Sequence, residues 1–376
     1  MPGFGLPRAL AGLAGALAFL CASGGSAAQT ARPATAVGVS LPLSGVSAEI
    51  GLSFLDGFKA CLAADPVGKT LALRVTDETE AELAAEDLKG WEASGKDGVL
   101  MLTGFFSAPA SSAAVKRANA AKIPLVAPMS GGAAVVGDAG GWVFPIRSPD
   151  KVIVSGLVAQ GARLGIKRLA VLATRDAEGV ELVPIVRSAA AANGVQLVAV
   201  AEAELGSVEL DKQAAAILNA RPEGVIALSG YQSTADLFLR LRKAGFAGQL
   251  LAFGDVGSRP LTRLMGATVR GVGIGLAVPS PANQSFPLAR ELDVLMRKAG
   301  KTTDEFTLEG CMAARVIADA MRKSTANPPT RESLRKALES SRTVDVGGVV
   351  VHLPREDRDK NAGELVVLGA DGRILR

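Results

Sequence analysis

Imidazole is almost absent from this sequence and thiols are scarce: one histidine and three cysteines in 376 residues. His352, in the apolar run Val349-Val350-Val351-His352-Leu353, has no second imidazole and no ligand spacing around it. A zinc-type centre therefore has nothing to be built from, and a serine nucleophile has no evident base. No Gly-x-Ser-x-Gly elbow occurs. Gly271-Val-Gly-Ile-Gly275 has a superficial likeness to a dinucleotide loop, but it lies late in the chain inside an apolar run and opens no helix. These gaps argue against an enzyme. Aromatics are thin as well, at 4%, with one Tyr and two Trp. Lys and Arg are scattered among acids, and the net charge is only +4. The stacking platforms and basic patches of a nucleic-acid binder are missing, so nucleic acid is not an expected partner.

What is present begins with an address. Arg8, the apolar run Ala9 to Leu20 and the small residues Gly24 to Ala28 before Gln29 have the layout of a cleaved signal peptide over residues 1–28. Its apolar part is too short to span a bilayer, and no later segment resembles a span. A soluble exported protein is expected. Cys21 offers a lipid anchor as the alternative, although Phe19-Leu20 are bulkier than that processing favours. Removal of the peptide leaves Cys61 and Cys311 on apolar helix-like segments. Two buried free thiols are the plainer reading, and an oxidising compartment keeps a disulfide open.

The remaining chain exceeds what one hydrophobic core usually serves, so two lobes are expected. The stretch Gly98 to Gly131 shows their grammar: an apolar run Val99 to Leu102, a loop Phe105-Phe106-Ser107-Ala108-Pro109, a helical segment, a second apolar run Ile123 to Ala127, and a second loop Pro128-Met129-Ser130-Gly131. In a parallel sheet both loops fall on one edge, where open α/β sheets bind ligands. Ser107 and Ser130, with free N–H groups at a helix start, would suit a carboxylate there; helix capping is the competing role for serine. Before this stretch come strands at Ala36 to Leu43 and Leu71 to Thr76, a helix at Ser53 to Ala64 and a charged helix at Glu78 to Glu92. A second α/β series runs from Asp150 to Phe253, ending at Gly254-Asp255-Val256-Gly257. The last third adds a strand at Gly271 to Val278, helices near 287–299, 309–322 and 331–340, and short strands at Gly347-Gly348 and Leu365 to Leu368. Such a tail completes both lobes. The fold class is α/β: two doubly wound parallel-sheet lobes joined by a multi-strand hinge, with lobe 1 at 34–145 plus about 279–346 and lobe 2 at 146–278 plus about 347–376.

Several segments carry a resemblance in chain order: Leu41-Pro-Leu-Ser-Gly45 with Gly51 and Asp56-Gly57; Gly104 to Ser107; Ile123-Pro124 with Ala127-Pro128; Phe144 with Arg147. In the second half they are Ser229-Gly230-Tyr231, Lys243-Ala-Gly-Phe246, Gly271 to Pro279, and Leu308 to Val316. With these the chain resembles the leucine/isoleucine/valine-binding family of exported solute-binding proteins, the type I periplasmic binding proteins of ABC importers. The resemblance implies a non-enzymatic periplasmic receptor that needs no cofactor or metal. It would be a monomer that closes on a small polar, carboxylate-bearing solute such as an amino acid and presents it to an inner-membrane ABC permease. An envelope sensor or a cell-wall synthase activator on the same fold is the alternative. The resemblance places Ser107 with Ala108 and Met129 with Ser130 on a ligand anion, Tyr231 on the ligand, and Asp255 near the position that neutralises an ammonium; a turn cap is the other role for Asp255. Glu178 and Ile50 stand where the family has aromatics, so an added acid replaces a ring and a simple branched-chain ligand is put in doubt. Phe105 and Phe106 are candidates for the apolar wall.

Overall fold

The computed structural model describes residues 35–78, 90–92 and 98–375; the expected signal peptide, Cys21 and most of the helix expected at Glu78 to Glu92 lie outside them. Two parallel sheets organise the chain. The first is built from β1 (Thr35–Leu41), β2 (Leu71–Asp77), β3 (Met101–Gly104), β4 (Leu125–Pro128) and β5 (Val143–Phe144), in the order β2-β1-β3-β4-β5. All of its pairings are parallel. β3 and β4 are buried along their whole length, which is why they read as short continuous apolar runs rather than alternating ones. Helices α1 (Ala48–Ala64) and α2 (Ala108–Ala121) and the short α3 (Ala133–Val136) belong to this half.

The second sheet contains β6 (Arg168–Thr174), β7 (Gln196–Ala203), β8 (Gly224–Leu228), β9 (Gln249–Phe253) and β10 (Gly273–Leu276) in parallel. Its helices are α4 (Asp150–Arg163), α5 (Ala177–Ala192), α6 (Asp211–Asn219), α7 (Tyr231–Lys243) and α8 (Ser258–Met265). The last third supplies α9 (Pro287–Lys298), α10 (Glu305–Lys323), α11 (Arg331–Ser341) and a hairpin of β11 (Thr343–Asp345) and β12 (Val350–His352). β13 (Glu364–Leu368) and β14 (Ile374–Leu375) then join the second sheet as antiparallel edge strands, giving the order β14-β13-β10-β9-β8-β6-β7.

Three segments pass between the halves side by side. Ser148 N–H donates to the Ala277 carbonyl at 2.8 Å, and Ser280 N–H donates to Glu364 Oε2 at 2.7 Å. These bonds make the joint a bundle of crossings rather than a single linker, the arrangement that permits hinge closure.

α10 returns to the first half and packs along α1. Its start is fixed by a reciprocal capping box between Asp304 and Thr307. Two glycines allow the close approach: a Cβ on Gly57 would lie 1.9 Å from the Thr307 carbonyl oxygen, and one on Gly310 would lie 2.1 Å from that of Phe54. Beside this contact Cys61 and Cys311 are joined in a disulfide with their Cα atoms 5.2 Å apart. The free-thiol reading is thereby corrected; helical periodicity shows that both side chains are buried but not that they face each other. Gly347-Gly348 is also not a strand. At φ +107° and +84° the two residues form the turn of the hairpin, and both N–H groups donate to Asp345 Oδ1.

Candidate functional site

In each sheet the strand order reverses once among the parallel strands, between β1 and β3 in the first and between β6 and β8 in the second. Loops leaving the carboxyl ends of strands on either side of such a reversal diverge and leave a crevice. Here the two crevices face each other and enclose a cavity of about 410 Å³. The first half contributes Pro42 and Ser44 to Ser47 after β1, Ile50, Glu78 after β2, and Phe106 to Pro109 after β3. The second contributes Asp176 and Glu178 after β6, Leu205 after β7, Ser229 to Tyr231 after β8, and Asp255 after β9. Contacts that cross from one side to the other include Gln232 Nε2 donating to the Val46 carbonyl at 2.6 Å, Arg263 pairing with Glu49 at 2.6 Å, and Ala133 N–H donating to Glu181 Oε1 at 2.8 Å. The two halves are therefore shut over the cavity.

Six of the eight residues singled out by sequence line it: Ser107, Ala108, Ile50, Glu178, Tyr231 and Asp255. Met129 and Ser130 do not. Met129 is fully buried in the core, its N–H bonded to the Gly104 carbonyl and its own carbonyl accepting from Arg147. Ser130 is buried with its hydroxyl accepting from the Gly132 N–H at 3.2 Å. Ala127, next to last in β4, has φ +54°, a left-handed step just before these two buried residues.

The loop after β3 departs further from expectation. Gly104 and Phe105 both have positive φ, +92° and +62°, and left-handed backbone at a phenylalanine costs about 1–3 kcal/mol. The turn buries the Phe105 ring completely, so of the two expected apolar walls only Phe106 reaches the cavity. It also aims the next two N–H groups at one point, a geometry that holds anions. The anion held is the protein's own: Phe106 N–H donates to Glu78 Oε2 at 3.0 Å and Ser107 N–H to Glu78 Oε1 at 2.8 Å. Ser107 also caps α2, its hydroxyl accepting from the Ala110 N–H at 3.2 Å. The expectation of free N–H groups is corrected at these two positions. Burial pushes the Glu78 carboxyl up, against the pull of these two bonds.

Four carboxylates line the cavity, and among the described lining residues there is no Lys, Arg or His. Asp176 is engaged as the cap of α5, accepting from the Thr174 hydroxyl and from the N–H groups of Glu178 and Gly179. Asp255 accepts from Arg147 at 3.2 Å. Burial opposes the charge on Arg147, but its fork on Glu309, at 3.0 and 2.9 Å, and the nearby Asp255 more than offset that, so the guanidinium stays charged. The Glu178 carboxyl has no hydrogen-bond or ion-pair partner among the described residues. Burial, together with the crowding of Asp255, Asp150 and Asp176, pushes its carboxyl well above the usual range. Glu78, Asp176 and the wall residues Val46 and Leu205 were not singled out by sequence. Glu78 and Asp176 follow strands of parallel sheets, and that position is the signal that could have found them.

The periplasmic binding protein family model matches residues 34–367. No curated protein matches the chain. Among solved structures, a substrate-binding periplasmic protein from Ralstonia solanacearum superposes with a TM-score of 0.81 at 25% identity, covering 90% of this chain and 99% of that one. A leucine binding protein from Thermotoga maritima MSB8 gives 0.79 at 20% identity, covering 91% and 97%. A fatty acid ABC transporter substrate-binding protein from Thermomonospora curvata gives 0.81 at 18% identity, covering 90% of each.

Proposed function

The chain belongs to the periplasmic binding protein family, and from that premise we propose that it captures a small polar solute in the inter-lobe cavity and delivers it to an ABC permease of the inner membrane. The observation that carries the reading is the cavity itself: it takes its walls from both halves at their facing switch points, and bonds that would have to break on opening span it. A volume near 410 Å³ falls within the range of small-molecule sites. A partner-binding module on this fold could fill the gap with its own side chains; this gap is not filled, which favours the receptor reading over the sensor or synthase-activator one. Residues 34–145 would form lobe 1 and residues 146–278 lobe 2, with 279–346 completing the first lobe. Arg358 donates to the carbonyls of Val136 and Val143, so we place the last crossing at 361–364, beyond the hairpin. Export to the periplasm through residues 1–28 and function as a monomer belong to the same proposal.

The test is melting of the purified protein against a panel of amino acids, small carboxylic acids and amines, with small-angle scattering before and after addition of any solute that raises the melting temperature. A ligand bound only to the folded state must stabilise it, by about 2.7 kcal/mol at one hundred times Kd. A solute that both stabilises the protein and makes it more compact supports the receptor. No stabilisation by any class, with unchanged scattering, overturns it.

A further inference from the structure

We infer that the solute is a cation, an amine with a short apolar body and no carboxylate of its own. The inference rests on the receptor reading above and narrows its substrate class.

The argument starts at the anion-holding loop. A solute carboxylate entering this cavity would look for N–H donors, and the two that the strained turn at Gly104-Phe105 aims together already hold Glu78. Displacing Glu78 would leave a buried carboxylate without its donors in a cavity whose other charged lining groups, Asp176, Glu178 and Asp255, are all acids. Asp255 is already matched by Arg147, but no cation among the described lining residues faces Glu78, Asp176 or Glu178, and such a wall disfavours an incoming anion and favours a cation. The protein thus carries the carboxylate as part of its wall, and the solute has only to supply the ammonium.

The partners of each acid say where that ammonium goes. Asp176 is committed to the start of α5 and Glu78 to the loop after β3. Asp255 shares Arg147 with Glu309 and the Met129 carbonyl. Alone of the four carboxyls, that of Glu178 has no partner among the described residues, and the residue lines the cavity. An ammonium placed against Glu178 gains a charge-assisted bond without breaking one. Around the acids Val46, Ile50, Phe106 and Leu205 supply apolar wall between serine hydroxyls and Tyr231, which leaves room for a short hydrocarbon body.

The experiment is calorimetric titration of the full chain with three matched sets: butylamine and phenethylamine, butyrate and phenylacetate, leucine and phenylalanine. At least one amine should bind about tenfold or more tightly than the acid and amino acid with the same body, and Glu178→Gln should weaken that amine by about 10- to 100-fold, the worth of one hydrogen bond to a charged group, with ligand-free melting unchanged or raised, since the neutral side chain relieves the crowding of acids. Glu78→Ala releases the Phe106 and Ser107 N–H groups and should shift preference toward the amino acid of the same body. Wild-type binding of acids or amino acids with no amine binding overturns the cation inference and leaves the receptor standing. Amine binding that is unaltered in Glu178→Gln, in protein that melts normally, also overturns it. Loss of the receptor itself reads differently, as absence of binding across all three sets.

Discussion

Removing the disulfide by Cys61→Ala/Cys311→Ala should cost lobe 1 about as much stability as any single structural change to it. The bridge joins residues 250 apart in sequence, and confining a loop of that length lowers unfolded-chain entropy by roughly 19 cal/mol/K, or about 5.5 kcal/mol at 25 °C. All of the second half but β13 and β14 is inserted within this loop, and while it remains folded the two ends of the insert are pinned together at Ser148 and Ala277. The loop then shortens to roughly 120 residues, yet because the cost is logarithmic the stabilisation falls only to about 4.9 kcal/mol. Either way the figure is near 5 kcal/mol and does not depend on which lobe unfolds first. The assay is urea unfolding followed by far-ultraviolet circular dichroism, with oxidised wild type and double variant side by side and a thiol count on unfolded protein. The variant's midpoint should fall sharply, and the wild type should show no free thiol from these two residues. A loss below about 1 kcal/mol would refute the loop argument. Two reactive thiols in oxidised protein would refute the bridge itself.

Three further variants probe buried charge and close packing. Glu305 is buried beside Asp304, accepting from the Ser258 hydroxyl, and burial raises its pKa from 4.5 to about 7; the native state therefore holds its proton to higher pH than the unfolded chain does, and stability present below pH 4.5 is lost as pH climbs to about 7. Glu305→Gln should remove that slope, so the difference in denaturation free energy between variant and wild type should grow by up to about 3 kcal/mol from pH 4.5 to 8, and a pH-independent difference would reject it. Gly57→Ala would drive a methyl to within 1.9 Å of the Thr307 carbonyl oxygen and should cost about 3 kcal/mol or more as overpacking. Gly156→Ala, in α4 with nothing within 4 Å of the new atom, should instead gain about 0.5–1 kcal/mol, and equal melting temperatures for the two variants would contradict the close-packed contact between α1 and α10.

The fold was legible because its signals are local and repeated. Alternating apolar runs and helical periods mark parallel sheets, and the β3–α2–β4 stretch announces a ligand edge from its turn residues alone. The helix pair α1 and α10 was legible only in pieces: Gly57 and Gly310 stood among the family-like segments, but nothing in a single sequence says that two glycines and two cysteines some 250 residues apart meet in one contact. The site divides in the same way. Residues on the rim of the parallel sheets reach the cavity, as Ser107, Glu178 and Tyr231 do. Met129 and Ser130 fail because Met129 lies in the core and the Ser130 hydroxyl is taken by the Gly132 N–H, after a positive φ at Ala127 that an alanine does not announce. Glu78 was missed as a lining group because it reads as the start of a charged helix, a setting in which acids are ordinarily solvated.

Charge, unlike position, could not be assigned residue by residue. Asp255 taken alone looks like an ammonium partner, yet Arg147 already neutralises it, and Arg147 in turn is shared with Glu309 from α10 and the Met129 carbonyl after β4. That cluster ties the first crossing segment, which carries Arg147, to a carboxylate on the floor of the second half. Any solute that draws on Asp255 must compete with Arg147, in a place where weakening the pair loosens a contact between the two lobes. Glu178 feels the charges of Asp255 and Arg147 but makes no bond to either, so it can take a cation without breaking the joint. If Glu178 selects the solute as proposed, the selecting group is distinct from the groups that hold the lobes together, so Glu178→Gln should change specificity and leave closure intact.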